Sequence, residues 1–153
     1  RSAAAHPAAR PGLRIDLRSW QDSRPVEVAA DYLAAYQVSM RERRIVPAMV
    51  RSTAFQEVQS SRSVIAAAAQ RGWTVPGQAL AYVAALDRSG DSAVVSMCLW
   101  EPSVAYRQER TGRPVHPRAR RWDAKDVKME AVGDRWYVVE AKRGSEPCRR
   151  EAP

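Results

Sequence analysis

Hydrophobic and polar positions change their spacing once along the chain, near residue 73. Before that point the period is helical. Ser23 is placed to cap a helix whose first turn holds Pro25 and Glu27 and which continues as "VEVAADYLAAYQVSMRER". Val26, Ala30, Leu33, Gln37 and Met40 recur on one face, and Tyr32 and Tyr36, four apart, form a second stripe beside it. Pro47 enforces a break after "RERRIV". A second helix is predicted from Pro47 to about Val58, burying Met49, Val50, Ala54 and Val58. A third, "VIAAAAQR", is capped by Ser61 or Ser63 and stopped by Gly72.

After residue 73 the period is two. "QALAYVAALD" alternates with Leu80, Tyr82, Ala84 and Leu86 on one face, and "DRSGD" at 87–91 is a hairpin turn. "SAVVSMCLW" puts Ala93, Val95, Met97 and Leu99 on one face and Val94, Ser96, Cys98 and Trp100 on the other. Both faces are apolar, as in a central strand. Pro102, Pro114 and Pro117 exclude a regular strand at those points, because proline cannot donate to a ladder. Alternation resumes at about Arg120, with Trp122 and Ala124 in one phase and Val127, Met129 and Ala131 in the other. That slip predicts a bulge between 124 and 127. "VGDR" turns the chain into the last strand, "WYVVEAK". Helices followed by a four-stranded antiparallel meander make an α+β design, with the helices packed on one face of a curved, cone-shaped sheet.

Composition adds a compartment to this outline. The 153 residues carry a net charge of +8, and all but three of the 25 basic residues are arginine. Such a balance favours anionic partners, although the arginines are spread along the chain. No apolar run approaches the roughly 20 residues of a membrane span. The opening "RSAAAHPAARPG" is rich in Ala and Pro and has no apolar period. Residues 1–22 are therefore expected to be a flexible tether, following a removed signal or membrane anchor, and 23–153 a single domain. Two cysteines in a chain of that kind predict one disulfide, Cys98–Cys148, and a secreted or membrane-anchored location.

The order of elements, and the closing "DVKMEAVGDRWYVVEAK", resemble the nuclear transport factor 2-like superfamily, also called cystatin-like or SnoaL-like, over residues 24–143. "VVSMCLWEPSVAY" with a terminal "EPC" is similar to small secreted or membrane-anchored proteins of high-GC Gram-positive bacteria. The resemblance implies a cystatin-like roll with a cone that can hold a ligand, and a sheet face that can pair two copies. The superfamily also contains isomerases and dehydratases, so fold alone does not choose a function.

Candidate chemistry is sparse. Tyr32, Tyr36, Trp100 and Tyr106 are the candidates for a pocket wall. An isomerase-type site would need a carboxylate base beside such a tyrosine. Asp31 is next to Tyr32 and so points about 100° away from it on a helix. Asp123 and Asp126 read as an exposed strand edge. His116, between prolines, reads as a surface residue. No phosphate-cradling glycine loop and no metal-ligand spacing occur, so neither cofactor nor metal is expected. The loop 107–121 holds six Arg and one Glu. It reads as a solvated rim, with a binder of anionic polymer through Arg113, Arg118, Arg120 and Arg121 as the alternative. Only Tyr106 and Trp122 bracket it, which disfavours nucleic acid. The reading is a non-enzymatic extracytoplasmic domain that docks a protein or takes a small apolar ligand in its cone, with an isomerase or dehydratase as the alternative.

Overall fold

The computed structural model describes residues 8–117 and 119–153. A six-stranded sheet has the order β1–β2–β4–β5–β7–β8, formed by Ala8–Arg10, Leu13–Asp16, Ala79–Ser89, Ser92–Trp100, Trp122–Val132 and Arg135–Arg143. All neighbours are antiparallel except β2 and β4. Three helices, α1 (Arg24–Glu42), α2 (Pro47–Arg51) and α3 (Phe55–Gln70), pack on its concave face. The short pair β3 (Trp73–Thr74) and β6 (Arg107–Gln108), with the one-turn helix α4 (Glu101–Val104), borders one end. The α+β architecture and curved sheet agree with the sequence pattern.

The largest correction concerns the N-terminus. Residues 8–22 are not tether: they build β1, β2 and a 3-10 turn at Arg18–Trp20. Leu13 and Ile15 alternate with Arg14 and Asp16, so β2 turns both aliphatics into the core, where each is fully buried. Gly12 makes this possible. Its φ is +82°, and a Cβ there would lie 2.9 Å from Val38 Cγ2 and 3.0 Å from the Ala34 carbonyl oxygen, so only glycine lets the hairpin lie against α1. Residues 1–7, the rest of the expected tether, lie outside the described residues.

Helix boundaries also differ. α2 stops at Arg51 instead of continuing to Val58, because the backbone of Ser52–Ala54 leaves the helix to pair with β8. The Val138 N–H donates to the Ser52 oxygen at 2.9 Å and the Ala54 N–H to the Val138 oxygen at 2.8 Å. α3 then begins at Phe55, and Ser61 is not its cap but a buried residue of its interior.

Bulges curve the sheet, at positions other than the predicted one. One residue, Ala84, is extra on β4 opposite Met97 and Ser96, and another, Val139, is extra on β8 opposite Lys128 and Met129. Pairing of β5 with β7 is continuous from Trp100↔Trp122 to Ser92↔Glu130, so no bulge lies between 124 and 127. The face assigned to β4 is corrected as well. Ala79, Ala81 and Val83 face the core, Tyr82 faces outward, and the Ala84 bulge returns Leu86 to the core side. Ala93, Val95, Met97 and Leu99 face inward as their alternation predicts.

The outer face of the sheet carries the disulfide. Cys98 and Cys148 are bonded, with Cα atoms 5.9 Å apart. Around them Trp122 meets Tyr82 and Trp100 edge-on, with ring centroids 4.9 and 5.3 Å apart. The C-terminal tail crosses this cluster. Arg150 stacks 4.0 Å from the centre of the Tyr82 ring and pairs with Asp16 at 2.7 Å, while the Trp122 indole N–H donates to the Glu151 oxygen at 2.9 Å.

Candidate functional site

A cavity of about 360 Å³ opens between α1, α4 and the inner face of β7. Its walls are apolar where Leu33 and Met40 of α1 meet Val75, Leu99 and Val104. The local fold is held by Gln37, whose buried side-chain amide donates to the carbonyls of Pro76 at 2.8 Å and Ser103 at 3.1 Å. Ser103 in turn donates to the Trp100 oxygen and accepts from the Leu80 N–H. These bonds fix α4 as one wall and use both N–H donors of the Gln37 amide.

Polar side chains gather at the β7–β8 end. Lys125 and Arg143 are directly opposite each other across the two strands, and both line the cavity with Asp123. The Lys125 ammonium lies 5.5 Å from the centre of the Tyr36 ring. Burial pulls its pKa below the ordinary lysine value, and the field of Glu57 only partly opposes that. Asp123 is engaged elsewhere: its carboxylate is 3.1 Å from Arg121.

Of the four tyrosine and tryptophan candidates, Tyr36 and Tyr106 line the cavity. Tyr32 does not. It is buried behind the cavity wall, and its hydroxyl donates to Glu57 Oε1 at 2.8 Å. Burial first, then the Glu57 charge, hold the Tyr32 hydroxyl protonated far above its ordinary range. Burial does the same for Tyr36, reinforced by Tyr106 and Glu57. Trp100 is a correction: it stacks with Trp122 on the outer face, opposite the cone. Its neighbour Leu99 is the residue of that strand that faces inward.

Two of the four arginine candidates are committed to separate partners. Arg121 pairs with both Glu101 and Asp123. Arg120 stacks 5.7 Å from the Trp100 ring centre. Arg113 is exposed on the loop after β6, and Arg118 lies outside the described residues. His116 touches Trp73 edge-on, with ring centroids 6.1 Å apart.

Sequence reasoning missed Glu57, Lys125 and Arg143. Glu57 meets Tyr32 across two helices and 25 residues, and no local pattern announces that contact. Lys125 did carry a signal. Positions 123, 125, 127, 129 and 131 share one phase, so the apparent slip was two polar residues, Asp123 and Lys125, at inward positions of an unbroken strand.

No protein-family model matches the sequence, and no curated protein matches it significantly. Solved structures do. The intermembrane space region of the chloroplast protein ARC6 is similar with a TM-score of 0.54 at 12% identity, over 76% of this chain and 91% of that one. A protein of unknown function with a cystatin-like fold from Nostoc punctiforme is similar with a TM-score of 0.50 at 11% identity, over 82% of this chain and 91% of that one. This chain has a cystatin-like fold. A nuclear transport factor 2-like protein of unknown function from Shewanella baltica aligns with a TM-score of 0.47 at 12% identity, over 84% of this chain and all of that one. Within the cystatin-like roll, the cavity occupies the open end of the cone and the Tyr32–Glu57 pair ties α1 to α3.

That pair gives a first prediction. Tyr32→Phe removes a hydrogen bond to a charged acceptor and should cost roughly 1.5–3 kcal/mol. Combining it with Glu57→Ala, which removes the acceptor, in a double-mutant cycle read by urea unfolding should recover a coupling of about 1 kcal/mol or more. Additive single effects would show that the bond contributes nothing.

Proposed function

We propose that this chain is an extracytoplasmic binding domain, not an enzyme, and that it holds a small, largely apolar ligand in the open end of its cone. The observation that carries the reading is the cavity itself. Its volume of about 360 Å³ is at the small end of the roughly 300–1,000 Å³ of small-molecule sites. Its walls are the aliphatic side chains of α1, β5 and α4, with a few polar groups gathered at one end. Binding is favoured over turnover because the two nearby carboxylates are engaged: Asp123 by Arg121 and Glu57 by Tyr32. A general base must reach the proton it takes. Docking of a second copy on the outer sheet face is disfavoured by the tail that crosses Tyr82 and Trp122 there. The extracytoplasmic setting draws support from the Cys98–Cys148 disulfide, a bond that persists in oxidising compartments.

The neutral fluorescent probe N-phenyl-1-naphthylamine tests the reading. Saturable one-site binding is expected, and Val104→Trp, which fills the cavity from α4, should abolish it. Probe binding that is absent in the native protein, or unchanged in Val104→Trp, would remove the cavity as the site.

A further inference from the structure

The polar end of the cavity is more specific than its walls, and a role for it in choosing the ligand's head rests on the cavity being a ligand site. Lys125 and Arg143 face each other across an antiparallel pair. Like charges placed so repel each other. Neither is ion-paired among the described residues. The groups around Lys125 do not supply the missing charge. From α1 comes the neutral Tyr36 ring, and beyond it the cavity wall holds the neutral Tyr106. From α3, Glu57 acts only through space, its Oε1 taking the Tyr32 hydroxyl. On β7 itself, Asp123 faces Arg121. Two unneutralised cations therefore border an apolar chamber, Lys125 partly buried in its wall and Arg143 exposed at its rim, and the charge that is desolvated, that of Lys125, is costly until it is paired.

We propose that the cavity takes a small monocarboxylic acid, its carboxylate held between Lys125 and Arg143 and its apolar body against Leu33, Leu99 and Val104. The carboxylate would neutralise the repulsive pair and gain charge-assisted hydrogen bonds from both cations. An amine would add a third positive charge, and an alcohol would leave the two cations unpaired. The volume suits a single short chain or ring, not a two-chain lipid.

Octanoate, 1-octanol and octylamine share one apolar body and differ in the head, so their displacement of the naphthylamine probe from the full chain isolates the head. Octanoate should displace at a concentration about tenfold below that of octanol, the difference expected between charge-assisted and neutral hydrogen bonds. Octylamine should be the weakest. Lys125→Met and, separately, Arg143→Gln should each reduce the advantage of octanoate over octanol. Lys125→Met should also melt higher than the native protein without ligand, since it replaces a desolvated, unpaired cation by an apolar chain of similar length, and that melt shows that the variant is folded. Octanoate no better than octanol, or an advantage that survives both variants, overturns the acid head and leaves the apolar cavity standing. Displacement by none of the three overturns the cavity and the acid head together.

Discussion

Deleting residues 1–17 should leave a chain with no cooperative thermal transition. The deletion removes Leu13, Ile15 and Leu17, of which the first two are fully buried and the third is 8% exposed. Burying such a side chain stabilises by about 1.5–3 kcal/mol, so three of them approach the whole stability of a domain this size, roughly 5–15 kcal/mol. The backbone loss adds to this. β2 pairs with β4 in parallel from Leu13↔Ala79 to Asp16↔Tyr82, and the Ala79 N–H donates to the Gly12 oxygen at 2.9 Å. Without β2 the ladder groups of β4 on that side lose their partners while α1 still covers them from one face. The single substitution Ile15→Ala tests the same claim in a chain that still folds. It should cost about 2–5 kcal/mol, as aliphatic truncations in a packed core do. Circular dichroism melts of both proteins decide the matter: melting like the native protein would mean that residues 8–17 are the tether their composition suggests.

How far the sequence disclosed this molecule depends on the range of the contacts involved. α1 was legible because its apolar stripe and its terminal signals agree, with Pro25 at the start and Pro47 just beyond the end. β5 was legible to the residue, since both of its faces alternate without interruption. β2 was not. "LRID" is four residues long, follows Pro11 and Gly12, and becomes a strand only by pairing with a partner more than 60 positions away. The end of α2 was hidden for the same reason: Thr53 leaves the helix to bridge Val138, and helix propensity says nothing about a sheet edge 85 residues later. At the site, the cavity's aromatic members Tyr36 and Tyr106 were legible as types of residue. Its lysine was misread because hydrophobic periodicity treats an inward lysine as an error of phase, and Arg143 was missed because the last strand was ended at Lys142. Lys125 stands where Val127 and Met129 predict an apolar residue, and such a violation of pattern is expected where a fold gives up stability for function.

Replacing Cys148 by serine should lower the melting temperature by roughly 8–16 °C, the equivalent of about 4 kcal/mol from loop closure across a sequence separation of 50. The crosslink acts on a tail whose other ties are individually weak. The Arg150–Asp16 pair is about one-third exposed on both sides, and a pair in that setting contributes roughly 0–1 kcal/mol. The Arg150–Tyr82 stack at 4.0 Å and the single Trp122–Glu151 bond must offset the ordering of residues 145–153 on their own once the sulfurs part. We therefore expect the tail to leave the sheet in the variant, and quenching of tryptophan emission by added iodide should rise as Trp122 and Trp100 lose their cover. Acid supplies an internal check. Burial raises the Asp16 pKa, but the Arg150 hydrogen bond, the Arg18 N–H and the two guanidinium charges outweigh it and hold the carboxyl below its ordinary value of 3.8. A depressed carboxyl stabilises the fold at neutral pH and loses that contribution as the pH falls from the ordinary value through the folded one. In the variant, with Arg150 released, Asp16 has less to lose. The melting-temperature gap between native protein and variant should therefore narrow below the ordinary carboxyl value. A variant that melts with the native protein at neutral pH would place the tail under the control of Arg150 and Trp122, with loop closure contributing nothing.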